Sequence, residues 1–195
     1  MDHVLTIAEE RLNLFAHMAN SACGLSLWCF GMKKQLYTCT CPAEKEFRLF
    51  LDLGQCLDYA IAHGPESHAP ILMSDPIGML WVAECVWHGD DASYLVILGP
   101  VFDAAASLQT LQNCLRGMNL SVSLTATIME KLEQVPILPL STLHQYIKML
   151  HWVLYEETLD VGSIRLQNRS NIIPDEEKSP YPWDCLLYTS PSPRD

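Results

Sequence analysis

The sequence predicts an α+β domain, an antiparallel sheet with flanking helices and a C-terminal helical extension. Three observations predict it. Segments with apolar residues at helical spacing alternate with short runs rich in β-branched and aromatic residues. Those short runs come in two groups, each joined by a turn signal, with one helical segment between the groups. The 195 residues are 49% hydrophobic and only 18% charged, ample for a buried core over most of the chain.

Residues 4–20 read as a helix, because Val4, Ile7, Leu14, Phe15 and Met18 recur at near-helical spacing around Glu9, Glu10 and Arg11. Residues 24–31 and 34–42 read as two strands joined at Gly31-Met32-Lys33-Lys34, with Pro42 ending the second. Residues 43–65 read as one helix. Acids occupy its first turn, Phe50, Leu53, Leu57 and Ile61 form its stripe, and His63-Gly64-Pro65 stops it.

The period then becomes strand-like. "PILMSDPIG" (70–78) leads into a strand over 78–88, Gly89-Asp90-Asp91 turns the chain, and 93–102 returns. Gly99-Pro100 is expected to end the sheet. Helical spacing resumes at Leu108, Leu111, Leu115 and Met118, and again at Leu124, Ile128, Leu132 and Val135. "VPILPL" interrupts, and Ser141 is placed to cap a third helix with the stripe Leu143, Ile147, Leu150 and Leu154. Residues 1–160 thus form the expected domain, and 161–184 read as a polar, proline-containing linker.

Alternation along 78–88 puts Met79, Trp81, Ala83, Cys85 and Trp87 on one face and Leu80, Val82, Glu84, Val86 and His88 on the other. Both faces are mostly apolar, so the 43–63 helix is expected over one and the terminal helices over the other. Glu84 is the exception, since an unpaired carboxylate among apolar side chains is costly. It should reach the rim or find a partner: a structural hydrogen bond, an arginine, or a ligand amine. His144 and His151, seven apart on one helix, read as part of a solvated face.

Trp28, Tyr37, Trp81 and Tyr94 are the aromatics available to line a pocket, with ordinary core packing as the competing reading. Cys39, Cys41 and Cys85 would make a thiol set if neighbouring strands brought them together. Otherwise the cysteines, none of them in a CxxC pair, serve as small core residues. The candidate ligand-contacting set is therefore Trp28, Tyr37, Cys39, Trp81, Glu84, Cys85 and Tyr94. No phosphate loop, GxSxG, HExxH or Asp-rich metal loop occurs, so no catalytic or metal-binding residue is assigned and no cofactor is named.

The formal net charge is −11, and no basic cluster exceeds Lys33-Lys34. A chain with that balance lacks the footprint that neutralises nucleic-acid phosphates. No apolar run reaches the roughly 18–20 residues of a membrane span, and the N-terminus lacks the order of a signal peptide. A cytoplasmic location without membrane contact is expected.

The order of elements resembles the GAF/PAS class of sensor domains, in which one sheet face and the intervening helix enclose a ligand pocket. More specifically, "MLWVAECVWHGDDASYLVILGPVF" and "VPILPLSTLHQYIKMLHWVLYEETLDVGSI" resemble the N-terminal regulatory region of AraC-type transcription regulators from Gram-positive bacteria. Leu98-Gly99-Pro100, Pro136 to Leu140, Met149-Leu150-His151 and Glu157-Thr158 carry that likeness, which covers roughly residues 70–165. It implies an unknown small-molecule effector, a homodimer, and DNA contact only through a separate basic pair of helix-turn-helix units. The N-terminal and 141–158 helices both carry long apolar stripes, which read equally as a dimer contact with a second copy or as packing onto their own sheet. A GAF-like input domain of a signalling enzyme is the second expectation, and a cysteine-dependent enzyme the third. The closing "CLLYTSPSPRD" (185–195) is similar, letter for letter, to one translated frame of a transposase-type sequencing adaptor. It is therefore given no functional weight, and the chain is expected to be a fragment cut ahead of its DNA-binding half.

Overall fold

A computed structural model describes residues 2–88, 91–104, 108–118 and 120–167. Most of the expected linker and the adaptor-like tail lie outside the described residues. Helix α1 (Asp2–Cys23) leads into a hairpin of β1 (Leu27–Gly31) and β2 (Leu36–Cys39). Lys34 takes positive φ in the turn, which Lys34 N–H closes on the Gly31 carbonyl at 2.9 Å. Helices α2 (Glu44–Leu53) and α3 (Cys56–His63) follow, then β3 (Ile71–Ser74), β4 (Leu80–His88) and β5 (Asp91–Val101). Helices α4 (Leu108–Gly117), α5 (Val122–Leu132) and α6 (Leu140–Tyr155) precede a two-residue strand, β6 (Arg165–Leu166).

The strands form one six-stranded sheet in the order β2-β1-β5-β4-β3-β6. All pairs are antiparallel except β3 with β6, so the sheet is mixed rather than purely antiparallel. The parallel strand falls in the stretch read as the start of a linker. It is held by backbone bonding, Arg165 N–H to Pro70 O at 2.9 Å and Gln167 N–H to Leu72 O at 3.0 Å, and by the Arg165 guanidinium on the His63 and Ala69 carbonyls at 2.8 and 3.2 Å. Such pairing leaves no side-chain period to read.

Two layers of helix cover the sheet. On one face α2 and α3 pack Phe47, Phe50, Leu51 and Leu57 against Trp28, Phe30, Trp81 and Ile97, and α4 and α5 extend that layer with Leu115 and Ile128. On the other face α1 (Leu12, Phe15, Ala19) and α6 (Leu143, Ile147, Leu150) meet Val82, Val96 and Leu98. The expected division of the faces of β4 therefore holds, with α4 and α5 joining the α2–α3 side. Helices α1 and α6 run antiparallel, since Arg11 pairs with Glu156 at one end and Cys23 meets Tyr146 at the other.

Three local expectations change. The 43–65 helix is two helices, because Gln55 adopts a left-handed conformation after Gly54 and redirects the chain. Strand β5 does not stop at Gly99-Pro100. Leu80 pairs with Val101 while Val82 pairs with Leu98, so two residues of β5 bulge opposite Trp81 and the ladder resumes beyond them. A bulge tolerates the missing N–H of proline, and Gly99 N–H bonds Ser26 O at 2.9 Å instead. Finally, α6 begins at Leu140 after Pro139, with Ser141 inside its first turn rather than capping it. The "VPILPL" segment is pinned beside β5 by Phe102 N–H to Pro136 O at 2.9 Å and Leu138 N–H to Phe102 O at 2.8 Å.

Candidate functional site: a buried Glu84–His151 junction

Strand β4 is flanked by β5 and β3, and Glu84 sits in register with Val96. Period-two alternation therefore aims its side chain at α6, into a layer built from valines and leucines. Glu84 is 2% exposed and His151 5%. His151 follows Leu150 on α6 and shares its inward stripe with Ile147, four residues earlier. Its Nδ1 bonds Glu84 Oε1, joining the central strand to the last long helix. Glu84 Oε2 is buried without a hydrogen-bond partner among the described residues. Burial raises the Glu84 carboxyl above the ordinary carboxylate range, and the His151 bond pulls partly the other way.

Aromatic side chains close one end of this junction. β3 pairs with β4 only as far as Ala83, and past that point Tyr155 donates its hydroxyl to the Cys85 carbonyl. The Tyr155 ring lies 4.9 Å from His151 and 5.1 Å from His68, and His68 stacks on Trp87 at 5.0 Å. Burial, followed by the nearby Glu84 charge, holds the Tyr155 hydroxyl well above its ordinary value. Trp87 Nε1 is a second buried atom without a partner.

The seven sequence-predicted residues fall in three places. Trp28, Trp81 and Cys85 belong to the α2–α3 side. The two tryptophans meet edge to face at 5.9 Å. Their N–H groups are used internally, Trp28 to Gly99 O at 2.8 Å and Trp81 to Asp75 Oδ2 at 3.0 Å. Cys85 packs so closely against Gly64 that a β-carbon there would overlap its sulfur, and burial raises its thiol to about 11. Glu84 and Tyr94 share the α1–α6 side, where burial raises the Tyr94 hydroxyl to about 12. Tyr37 and Cys39 lie on the edge strand β2, Tyr37 59% exposed with its hydroxyl accepting from Gln35 Nε2 at 2.9 Å. Cys85 and Cys39 lie on strands separated by β1 and β5, so the condition for a three-thiol set, neighbouring strands, is not met.

Sequence reasoning missed His151, Tyr155 and Asp75. His151 is not on a solvated face; it is buried against Glu84. The signal was present, because the stripe Leu143, Ile147, Leu150, Leu154 carries residue 151 along with it. Asp75 organises the β3–β4 turn. Its Oδ1 accepts from Ile77 N–H and Met79 N–H, both at 3.0 Å, while Oδ2 holds Trp81. "SDPIG" is a turn sequence whose leading aspartate is suited to that task.

A groove of about 190 Å³ lies between α4, α5 and the 135–137 segment, lined by Phe102, Leu111, Met129, Leu132, Val135 and Ile137. It is smaller than the roughly 300 Å³ at which drug-sized sites begin. Among the described residues no group of three or more His, Cys, Asp and Glu side chains could hold a metal ion, and no helix is long and apolar enough to cross a membrane. Comparison with protein-family models, with curated proteins and with solved structures finds no match.

Proposed function

We propose that this chain is the effector-sensing and dimerisation module of an AraC-like transcription regulator, with a GAF/PAS-like sensor fold. The observation that carries the reading is the Glu84–His151 junction. A carboxyl on the central strand is satisfied on one oxygen by the last long helix and, among the described residues, by nothing on the other. Burying a polar group that way is costly, and it is retained where it specifies one arrangement over another. An effector bearing an amine competes with His151 for Glu84. Its differential affinity for the two arrangements of α6 sets the size of the response, which α6 passes to a DNA-binding part. The layout of two hairpin groups around one helical layer, meeting through β1 and β5 in one sheet, supports the sensor fold.

Dimerisation uses the outer face of α1 and α6. Leu14 and Met18 are 62% and 52% exposed, and Met149 and Trp152 are 42% and 53% exposed. The antiparallel register sets residue 11 of α1 level with 156 of α6, and 23 level with 146. Lys148 precedes Trp152 by four residues and Glu156 follows it by four. A two-fold axis near Trp152 therefore sets Lys148 of one copy against the acidic end of the other, a self-complementary arrangement.

Reading the coding sequence downstream of residue 184 in the source genome tests the assignment. Two helix-turn-helix units are expected there. A kinase or cyclase domain would favour the GAF-like input reading, and a stop codon would remove both.

A further inference from the structure

The segment Cys39-Thr40-Cys41 takes no part in the Glu84 junction. Cys39 ends β2, opposite Trp28 on β1. Thr40 is held on both sides of Leu27: its N–H bonds the Leu27 carbonyl at 2.9 Å, and its Oγ1 accepts from Leu27 N–H at 2.8 Å. That anchor fixes the chain where it leaves the sheet. It curls so that Cys41 N–H points back at Cys39 Sγ, 3.2 Å away. Both thiols are half-buried and free, on the sheet's edge strand and the loop after it.

We infer that Cys39 and Cys41 form a thiol–disulfide exchange site for low-molecular-weight disulfides, with Cys41 the attacking sulfur and Cys39 the resolving one. The surroundings divide the roles. Hydrogen bonds from the Cys39 thiol, the Ala43 N–H and the Ser26 hydroxyl converge on the Cys41 sulfur and outweigh its partial burial, lowering it to about 7. The same contact with Cys41, with burial next, raises the Cys39 thiol, against the Cys41 N–H bond to its sulfur, which lowers it. Cys29, by contrast, is buried and raised to about 12, and Cys85 to about 11; neither is a nucleophile near neutrality.

The Cys41 thiolate attacks one sulfur of the small disulfide. The new bond joins Cys41 to that half, and the other half leaves as a thiolate. Cys39 then attacks the Cys41 sulfur, the second half leaves, and the Cys39 proton departs with it. One intramolecular disulfide is formed and one small disulfide is reduced to two thiols.

The test incubates the full chain with glutathione disulfide at pH 7 and maps each cysteine by peptide mass spectrometry. Wild type is expected to lose two hydrogens across the Cys39–Cys41 peptide with no glutathione retained. Cys39→Ser should trap glutathione on Cys41, and Cys41→Ser should leave Cys39 unmodified. Iodoacetamide should label Cys41 of the Cys39→Ser variant, and of untreated wild type, roughly five- to tenfold faster than Cys23 or Cys114 at pH 7. A persistent glutathione adduct on wild-type Cys41 would overturn the resolving role. Equal labelling of Cys41, Cys23 and Cys114 in wild type would overturn the site, and that comparison needs no variant to fold.

Discussion

Glu84 fixes both the chemistry and the pH response of the junction. A carboxyl whose folded pKa is raised binds more protons when folded than when unfolded. Its favourable contribution is complete below the ordinary carboxylate range and declines as pH rises from there through the folded pKa. Glu84→Gln keeps a partner for His151 but cannot ionise. The stability of the variant relative to wild type should therefore improve as pH rises from about 4 towards the raised pKa, read by urea denaturation at a series of pH values. A difference that is flat with pH would mean that Glu84 titrates alike in both states. That Glu84 needs a partner is legible in the sequence, because an acid between Ala83 and Cys85 in a strand apolar on both faces has few other outcomes. Which partner it finds is not legible, since His151 lies 67 residues away and only tertiary packing selects it. The same holds for the tryptophans. Trp28 and Trp81 read more readily as core than as pocket lining, and both are fully buried with their N–H groups bonded to Gly99 O and Asp75 Oδ2.

Among the elements, the long periodic helices and the hairpins are the legible part, because amphipathic stripes and turn residues act over a few positions. The departures come where a non-local partner overrides the local signal. Gly99 has φ +135°, and a β-carbon there would meet the Leu80 carbonyl at 2.8 Å. This glycine serves a close crossing inside a bulge, although its pairing with proline looks like a strand terminator. Gln55, left-handed without being glycine, divides α2 from α3, and the local signal for that break is Gly54, which caps α2. Helix α6 has the most consequential geometry: its inner face carries Leu143, Ile147, Leu150 and His151, its outer face Met149 and Trp152. Trp152→Glu places like charges at the proposed two-fold axis and leaves the inner face untouched. Sedimentation equilibrium should show wild-type dimer and variant monomer with unchanged helical circular dichroism. A monomeric wild type would remove dimerisation from the account.

Over the whole molecule, the fold is a mixed sheet clamped between two helical layers of different character. The α2–α3 layer is filled by tryptophans and phenylalanines and takes in α4 and α5, whereas the α1–α6 layer buries the Glu84–His151 pair within mostly aliphatic packing, with Tyr155 bonding the Cys85 carbonyl beside it. The proposed sensor role requires that the α1–α6 layer separate from the sheet without dissolving the other core. The charge of −11 is consistent with a part that does not itself hold nucleic acid. Native-state amide hydrogen exchange on wild type and His151→Ala tests the separability most directly. The account predicts that amides in residues 143–151 lose about tenfold or more protection in the variant, while those of β4 and β5 lose markedly less. An equal loss in α6 and the central strands would show that α6 opens only with the whole domain, and would contradict it.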